Sequence, residues 1–132
     1  MNLDWSVVWT HRYALLEGVG VTVMLTVLTM AIALPGGIAI MLLRQSPWAP
    51  VRALGTVYVE FFRNIPLILL VYWAFYVLPI LIEVQISPFA TGLTALALNV
   101  SAYNAETFRA GVASIRKGQT EAGLALGMSG GR

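Results

Sequence analysis

Three stretches of this chain carry no formal charge, and their lengths constrain its fold more than any other feature. They are Gly18 to Leu43 (26 residues), Asn64 to Ile82 (19 residues) and Val84 to Ala105 (22 residues). A helix rises about 1.5 Å per residue, so about 20 apolar residues cross a hydrocarbon core about 30 Å thick. Each stretch meets that length, and 132 residues leave no room for a fourth. Composition agrees: 58% of residues are hydrophobic and 11% charged, where a soluble domain carries about 25% charged. A soluble globular domain is excluded, and so is disorder, which needs low hydrophobicity and high charge. With no cysteine, disulfides and thiolate metal sites are excluded too. The expected fold is an all-α membrane protein of three transmembrane helices, at about 15–43, 64–82 and 87–105.

The N-terminus opens with Asp4 rather than a basic cluster, and its apolar run exceeds the h-region of a cleavable signal, so the run is read as a retained first helix. Basic residues orient the spans. Arg12 precedes span one; Arg44, Arg52 and Arg63 lie between spans one and two; none lies between two and three; Arg109, Arg116, Lys117 and Arg132 follow. One basic residue on one side against seven on the other places the N-terminus outside, the 44–63 loop inside, the 79–90 loop outside and residue 106 onward in the cytoplasm. Trp5, Trp9 and Tyr13 at the outer edge and Trp48 at the inner edge suit interfacial anchors.

Span one contains Pro35-Gly36-Gly37, which reads either as an ordinary kink or as a hinge or close helix contact, with Ala33 and Gly37 as a small-xxx-small pair. Residues 51–63 place Val51, Leu54, Tyr58, Phe61 and Phe62 on one helical face and Arg52, Glu60 and Arg63 on the other, as a helix on the membrane surface would. Glu60 and Arg63, three apart, are expected to pair. Span two opens at Asn64-Ile65-Pro66 and clusters Tyr72, Trp73, Phe75 and Tyr76. Span three is rich in small residues and adds Asn99, Ser101, Tyr103 and Asn104. Polar groups in hydrocarbon need partners, so this helix is expected inside a bundle or beside a wet cavity. Asn99, Ser101 and Tyr103 are therefore candidates for a solute path, with interhelical hydrogen bonding as the alternative. Glu106 and Arg109 follow, again three apart. The tail ends in a short helix-forming stretch, 119–127, with Glu121 in its first turn.

Catalytic chemistry is absent from the pattern. His11 is the only histidine, no phosphate loop or metal-ligand cluster assembles, and no span contains an ionisable catalytic group. The basic residues sit at membrane edges and form no nucleic-acid stripe, so lipid is expected as a partner and nucleic acid is not.

The segment Glu121-Ala122-Gly123-x-x-x-Gly127 resembles the EAA loop of permease subunits of bacterial ABC importers, with Gly123 where the family has a second alanine. The flanking Ala102-Tyr103-Asn104-Ala105-Glu106-Thr107-Phe108-Arg109-Ala110-Gly111, then Lys117-Gly118-Gln119 and Ala125-Leu126-Gly127-Met128-Ser129, is similar to the polar amino acid branch of that family. So is Tyr58-Val59-Glu60-Phe61-Phe62-Arg63-Asn64-Ile65-Pro66-Leu67. The resemblance implies the N-terminal part of a five-span permease fold in the bacterial inner membrane. The loop at about 112–132 would dock on an ATPase through Glu121, Ala122, Gly123 and Gly127. Its implied partners are a cytoplasmic ATP-binding subunit, a periplasmic or lipid-anchored solute-binding protein and a second permease subunit. No cofactor is expected in this chain, and ATP hydrolysis would belong to the partner. Glu60–Arg63 and Glu106–Arg109 are expected to position helix ends. The chain ends inside the motif, so truncation is expected; the alternative is a small three-span structural or assembly protein, or a permease remnant.

Overall fold

The computed structural model describes residues 5–115 together with 118, 121, 123 and 125–127. Among them no strand forms. Helix α1 is Ser6–Thr10 and α2 is Arg12–Arg44. α3 is Ala49–Asn64, α4 is Leu67–Tyr72, and a π-helical stretch, Trp73–Val77, joins α4 to α5 at Leu78–Ile82. α6 is Pro88–Ala113.

Prolines set the boundaries. Pro50 lies in the first turn of α3 and Pro88 in that of α6, where a missing N–H costs nothing. Ser87 caps α6, its hydroxyl accepting from the Ala90 N–H at 3.2 Å. Pro66 forces Ile65 into an extended conformation, so α3 stops and the chain turns by 102° into α4. The helix expected at 51–63 forms as α3, starting at residue 49, and the expected 64–82 segment is helical over Leu67–Ile82, entered through this bend.

Contacts run in the same order along both helices, from Gly36–Ser101 through Gly37–Asn104 to Arg44–Glu106, so α2 and α6 lie side by side and parallel. Thr29, Ala33 and Gly37, four apart, form the buried stripe of α2. Ala97, Ser101 and Ala105 form the matching stripe of α6. A Cβ on Gly37 would stand 2.6 Å from Asn104 Cβ and 3.2 Å from the Ala105 backbone nitrogen, so only glycine admits this approach. The close helix contact expected at Pro35-Gly36-Gly37 is formed.

α2, with 33 residues and a mean hydropathy of 2.2 over its best window, is long and apolar enough to cross a membrane by itself. α3 with Leu67–Ile82 passes the same test only as a bent pair. α6 has the length but not the apolarity, because Asn99, Ser101, Tyr103 and Asn104 interrupt it. It is instead the helix with most buried residues among those described, seven from Thr91 to Ala105.

Candidate functional site

The polar residues of α6 meet neighbouring helices rather than open space. Phe62 lies four residues before Pro66, whose nitrogen has no hydrogen to donate, so the Phe62 carbonyl lacks its helical partner. Asn99 Nδ2 donates to that carbonyl at 2.7 Å. Tyr103 Oη donates to the next one, Arg63 O, at 3.4 Å. α6 thus caps the C-terminal end of α3 just where the chain bends. Tyr58 Oη lies 2.8 Å from Ser101 Oγ, and the two hydroxyls lie 3.0 and 2.9 Å from the Leu98 carbonyl. On the other flank Asn104 Nδ2 donates to Ala33 O at 3.3 Å, across the Gly37 contact.

Of the three residues expected on a solute path, Asn99 and Ser101 are therefore buried, 6% and 4% exposed, with their polar atoms partnered. Tyr103 is 47% exposed. Ser101, with Tyr58 and Thr94, lines a cavity of about 410 Å³ between α2 and α6. A larger apolar groove, about 650 Å³, follows the inside of the α3–α4 bend between Phe61, Phe62, Trp73, Ala95 and Leu98. Asn99 and Tyr103 line neither.

The charged residues gather at the far end of the same helices. Glu106 bonds to Arg109 one turn on, through both the Nε and an Nη of that guanidinium. It also accepts from Arg44 Nη1 at 2.5 Å, a partner 62 residues away at the end of α2. The two arginines, Arg109 first and Arg44 second, hold the Glu106 carboxyl at a pKa of about 2, well below an ordinary 4.5. Gly55 of α3 completes the cluster: a Cβ there would stand 2.8 Å from Arg44 Cγ and 3.3 Å from its backbone nitrogen. The other expected pair does not form. Among the described residues Glu60 has no ion pair, because the Arg63 guanidinium lies over the Tyr103 ring, 5.4 Å from its centre, and not toward Glu60. A spacing of three allows a pair, and here a ring from α6 takes the cation instead.

In the expected docking loop, Glu121 and Gly127 are exposed and Gly123 is half-buried; Ala122 lies outside the described residues. Residues 118, 121, 123 and 125 are helical, and the Leu126 N–H bonds back to Gly123 O at 3.2 Å. Gly127 follows with φ +79°, the left-handed conformation in which a glycine ends a helix. Nothing crowds a Cβ at Gly127, so the requirement there is conformational and not steric.

Arg44, Gly55, Tyr58 and Asn104 were not expected as members of these clusters. The one signal pointing to Arg44 was positional: it ends the first charge-free run, as Glu106 ends the third, on the same predicted side.

A family model described as the inner membrane component of binding-protein-dependent transport systems matches residues 33–132. The chain is 38% identical over 128 residues to the arginine transport system permease protein ArtQ of Bacillus subtilis (strain 168), covering 97% of this chain and 58% of that protein. It is 34% identical over 130 residues to the glutamine transport system permease protein GlnP of Escherichia coli (strain K12), covering 98% and 59%. It is 33% identical over 135 residues to the glutamate/aspartate import permease protein GltK of Escherichia coli O6:H1, covering 97% and 60%. Among solved structures, a crystal structure of an amino acid ABC transporter with histidines superposes with a TM-score of 0.88 at 31% identity, over 99% of this chain and 61% of that one. The chain thus spans about three fifths of the length of the relatives it matches.

Proposed function

The chain belongs to the family of inner membrane components of binding-protein-dependent transport systems, and from that premise we propose that it forms part of the permease of an ATP-driven importer for polar amino acids. The match over residues 33–132 carries this reading. The relatives named for arginine, glutamine and glutamate/aspartate support its substrate class. The working protein would sit in the bacterial inner membrane with its N-terminus outside and residue 106 onward in the cytoplasm. α2, Leu67–Ile82 and α6 as far as Ala105 would be its spans and α3 its surface helix. An ATP-binding subunit, a solute-binding protein and a second permease subunit would be its partners, with ATP hydrolysed by the first.

The 112–132 loop would dock on that ATPase, with Glu121 at the contact, Ala122 and Gly123 keeping the helix face small, and Gly127 ending the helix. Asn99 and Ser101 would tie helices together and leave solute contact to other residues; of the three, Tyr103 alone keeps an exposed ring. The test is uptake of radiolabelled arginine, glutamine, glutamate or aspartate into vesicles holding the full-length protein with its ATPase and binding protein. The reading expects ATP-dependent uptake that Glu121→Lys abolishes while the complex still hydrolyses ATP. Failure to accumulate any of these amino acids would overturn it.

A further inference from the structure

Three helices converge on the Arg44 side chain. It ends α2, it is 18% exposed, and its guanidinium bonds Glu106 of α6 at 2.5 Å. Its aliphatic stem lies under Gly55 of α3, so closely that any side chain there would collide with it. Glu106 in turn holds Arg109, seven and four residues respectively before α6 ends at Ala113 and the chain enters the 112–132 loop. An ion pair between two flexible exposed side chains is worth little. This one differs in two ways: Glu106 is shared between two guanidinium groups, and the Arg44 stem is fixed from behind by a helix backbone. Fixing a side chain beforehand removes the entropy that usually cancels a charge pair.

We propose that Arg44, held by Gly55 and bonded to Glu106, is the positioning residue that makes α2, α3 and α6 move as one body when the 112–132 loop moves. Without it, a displacement of the loop end of α6 is passed on less directly to α2 and α3. α2 and α3 then follow it only through uncharged contacts and the Arg63–Tyr103 stack, at Ala33 and Gly37 against Asn104, Tyr58 against Ser101, and Phe62 O against Asn99. The proposal rests on the transport reading above and names residues outside the docking loop itself.

The test compares Arg44→Gln, Glu106→Gln and the exchange Arg44→Glu/Glu106→Arg with wild type, each as the full-length protein assembled with its ATPase and binding protein in vesicles. Amino acid taken up per ATP hydrolysed is the readout, since a structural loss alone lowers both quantities together. The single variants are expected to lower that ratio by about tenfold, the scale of one lost charge-assisted hydrogen bond. The exchange is expected to recover at least part of the loss. Ratios equal to wild type in the single variants, or an exchange no better than either, would overturn the proposal. A variant that fails to assemble is replaced by Gly55→Ala, which displaces the Arg44 stem and keeps both charges; an unchanged ratio there also overturns it. A wild type that takes up no amino acid would overturn the transport reading, and this inference with it.

Discussion

The α2–α6 seam and the arm from Leu67 to Ile82 are built from opposite materials. The seam joins Ala33, Gly36 and Gly37 to Ser101, Asn104 and Ala105, all small or polar, with backbones close enough to exclude a single added Cβ. The arm carries Tyr72, Trp73, Phe75 and Tyr76, exposed on the described surface, and touches α6 mainly through Leu70 and Ala74 against Ala95. In hydrocarbon, large apolar side chains gain nothing by leaving lipid for a neighbouring helix, whereas close backbones and hydrogen bonds do hold helices together. The difference teaches that the small and polar residues fix the relative positions of the helices. The bulky ones are left for lipid or for further protein. The π-helical stretch Trp73–Val77 falls in the arm and not in the seam, which fits a segment less tightly fixed by its neighbours.

The comparison breaks most sharply at Gly37. Gly37→Leu forces atoms into the Asn104 and Ala105 backbone and is expected to destabilise the full-length protein by about 3 kcal/mol. Gly92→Leu, where nothing lies within 4 Å of a Cβ, is expected to be close to neutral. Thermal unfolding in detergent measures both, and equal effects would remove the distinction between seam and open face. Asn99→Leu strips the cap from Phe62 O and is expected to cost about 1 kcal/mol, read the same way.

A third test uses acid. Folding depresses the Glu106 pKa from 4.5 to about 2, so its contribution is complete above pH about 4.5 and disappears as pH falls toward 2. The Tm of the wild type is expected to fall across that window, and the Glu106→Gln variant to start lower and to fall less. The smallest effect belongs to the arm. Tyr76→Ala removes an exposed ring stacked on Tyr72, with centroids 5.8 Å apart, and is expected to shift stability by about 0.5 kcal/mol or less.

What the sequence made legible follows the reach of each interaction. Ala33 and Gly37 are four apart and belong to one stripe, and Glu106 with Arg109 is a one-turn pair, so both could be read from spacing. Glu60 and Arg63 have the same spacing as Glu106 and Arg109 and yet stay apart, because Tyr103 competes for the cation from 40 residues away. The partner of Asn99 was not legible. It is a backbone carbonyl, set free by Pro66, and only the packing of α3 across α6 brings it within reach. Span lengths were readable from charge-free runs, but the break at Ile65–Pro66 set where the second helix starts. The left-handed turn at Gly127 gives a physical reason for a glycine at that position, which spacing alone could not supply.

The claim on which the rest depends is that α2 and α6 pack in parallel through Ala33–Gly37. These 132 residues contain no cysteine, so a disulfide placed across that seam reads out against no background from this part of the chain, any cysteine elsewhere being replaced by serine. An ideal Cβ on Gly36 stands 3.3 Å from Ser101 Cβ, near the separation that a disulfide spans. In the pair Gly36→Cys/Ser101→Cys, made in the full-length protein and mildly oxidised in native membranes, both thiols are expected to escape maleimide added after denaturation, and reduction before labelling to restore them. Thiols that stay as reactive as those of a control pair, Gly20→Cys/Gly92→Cys, would contradict the seam and the account built on it.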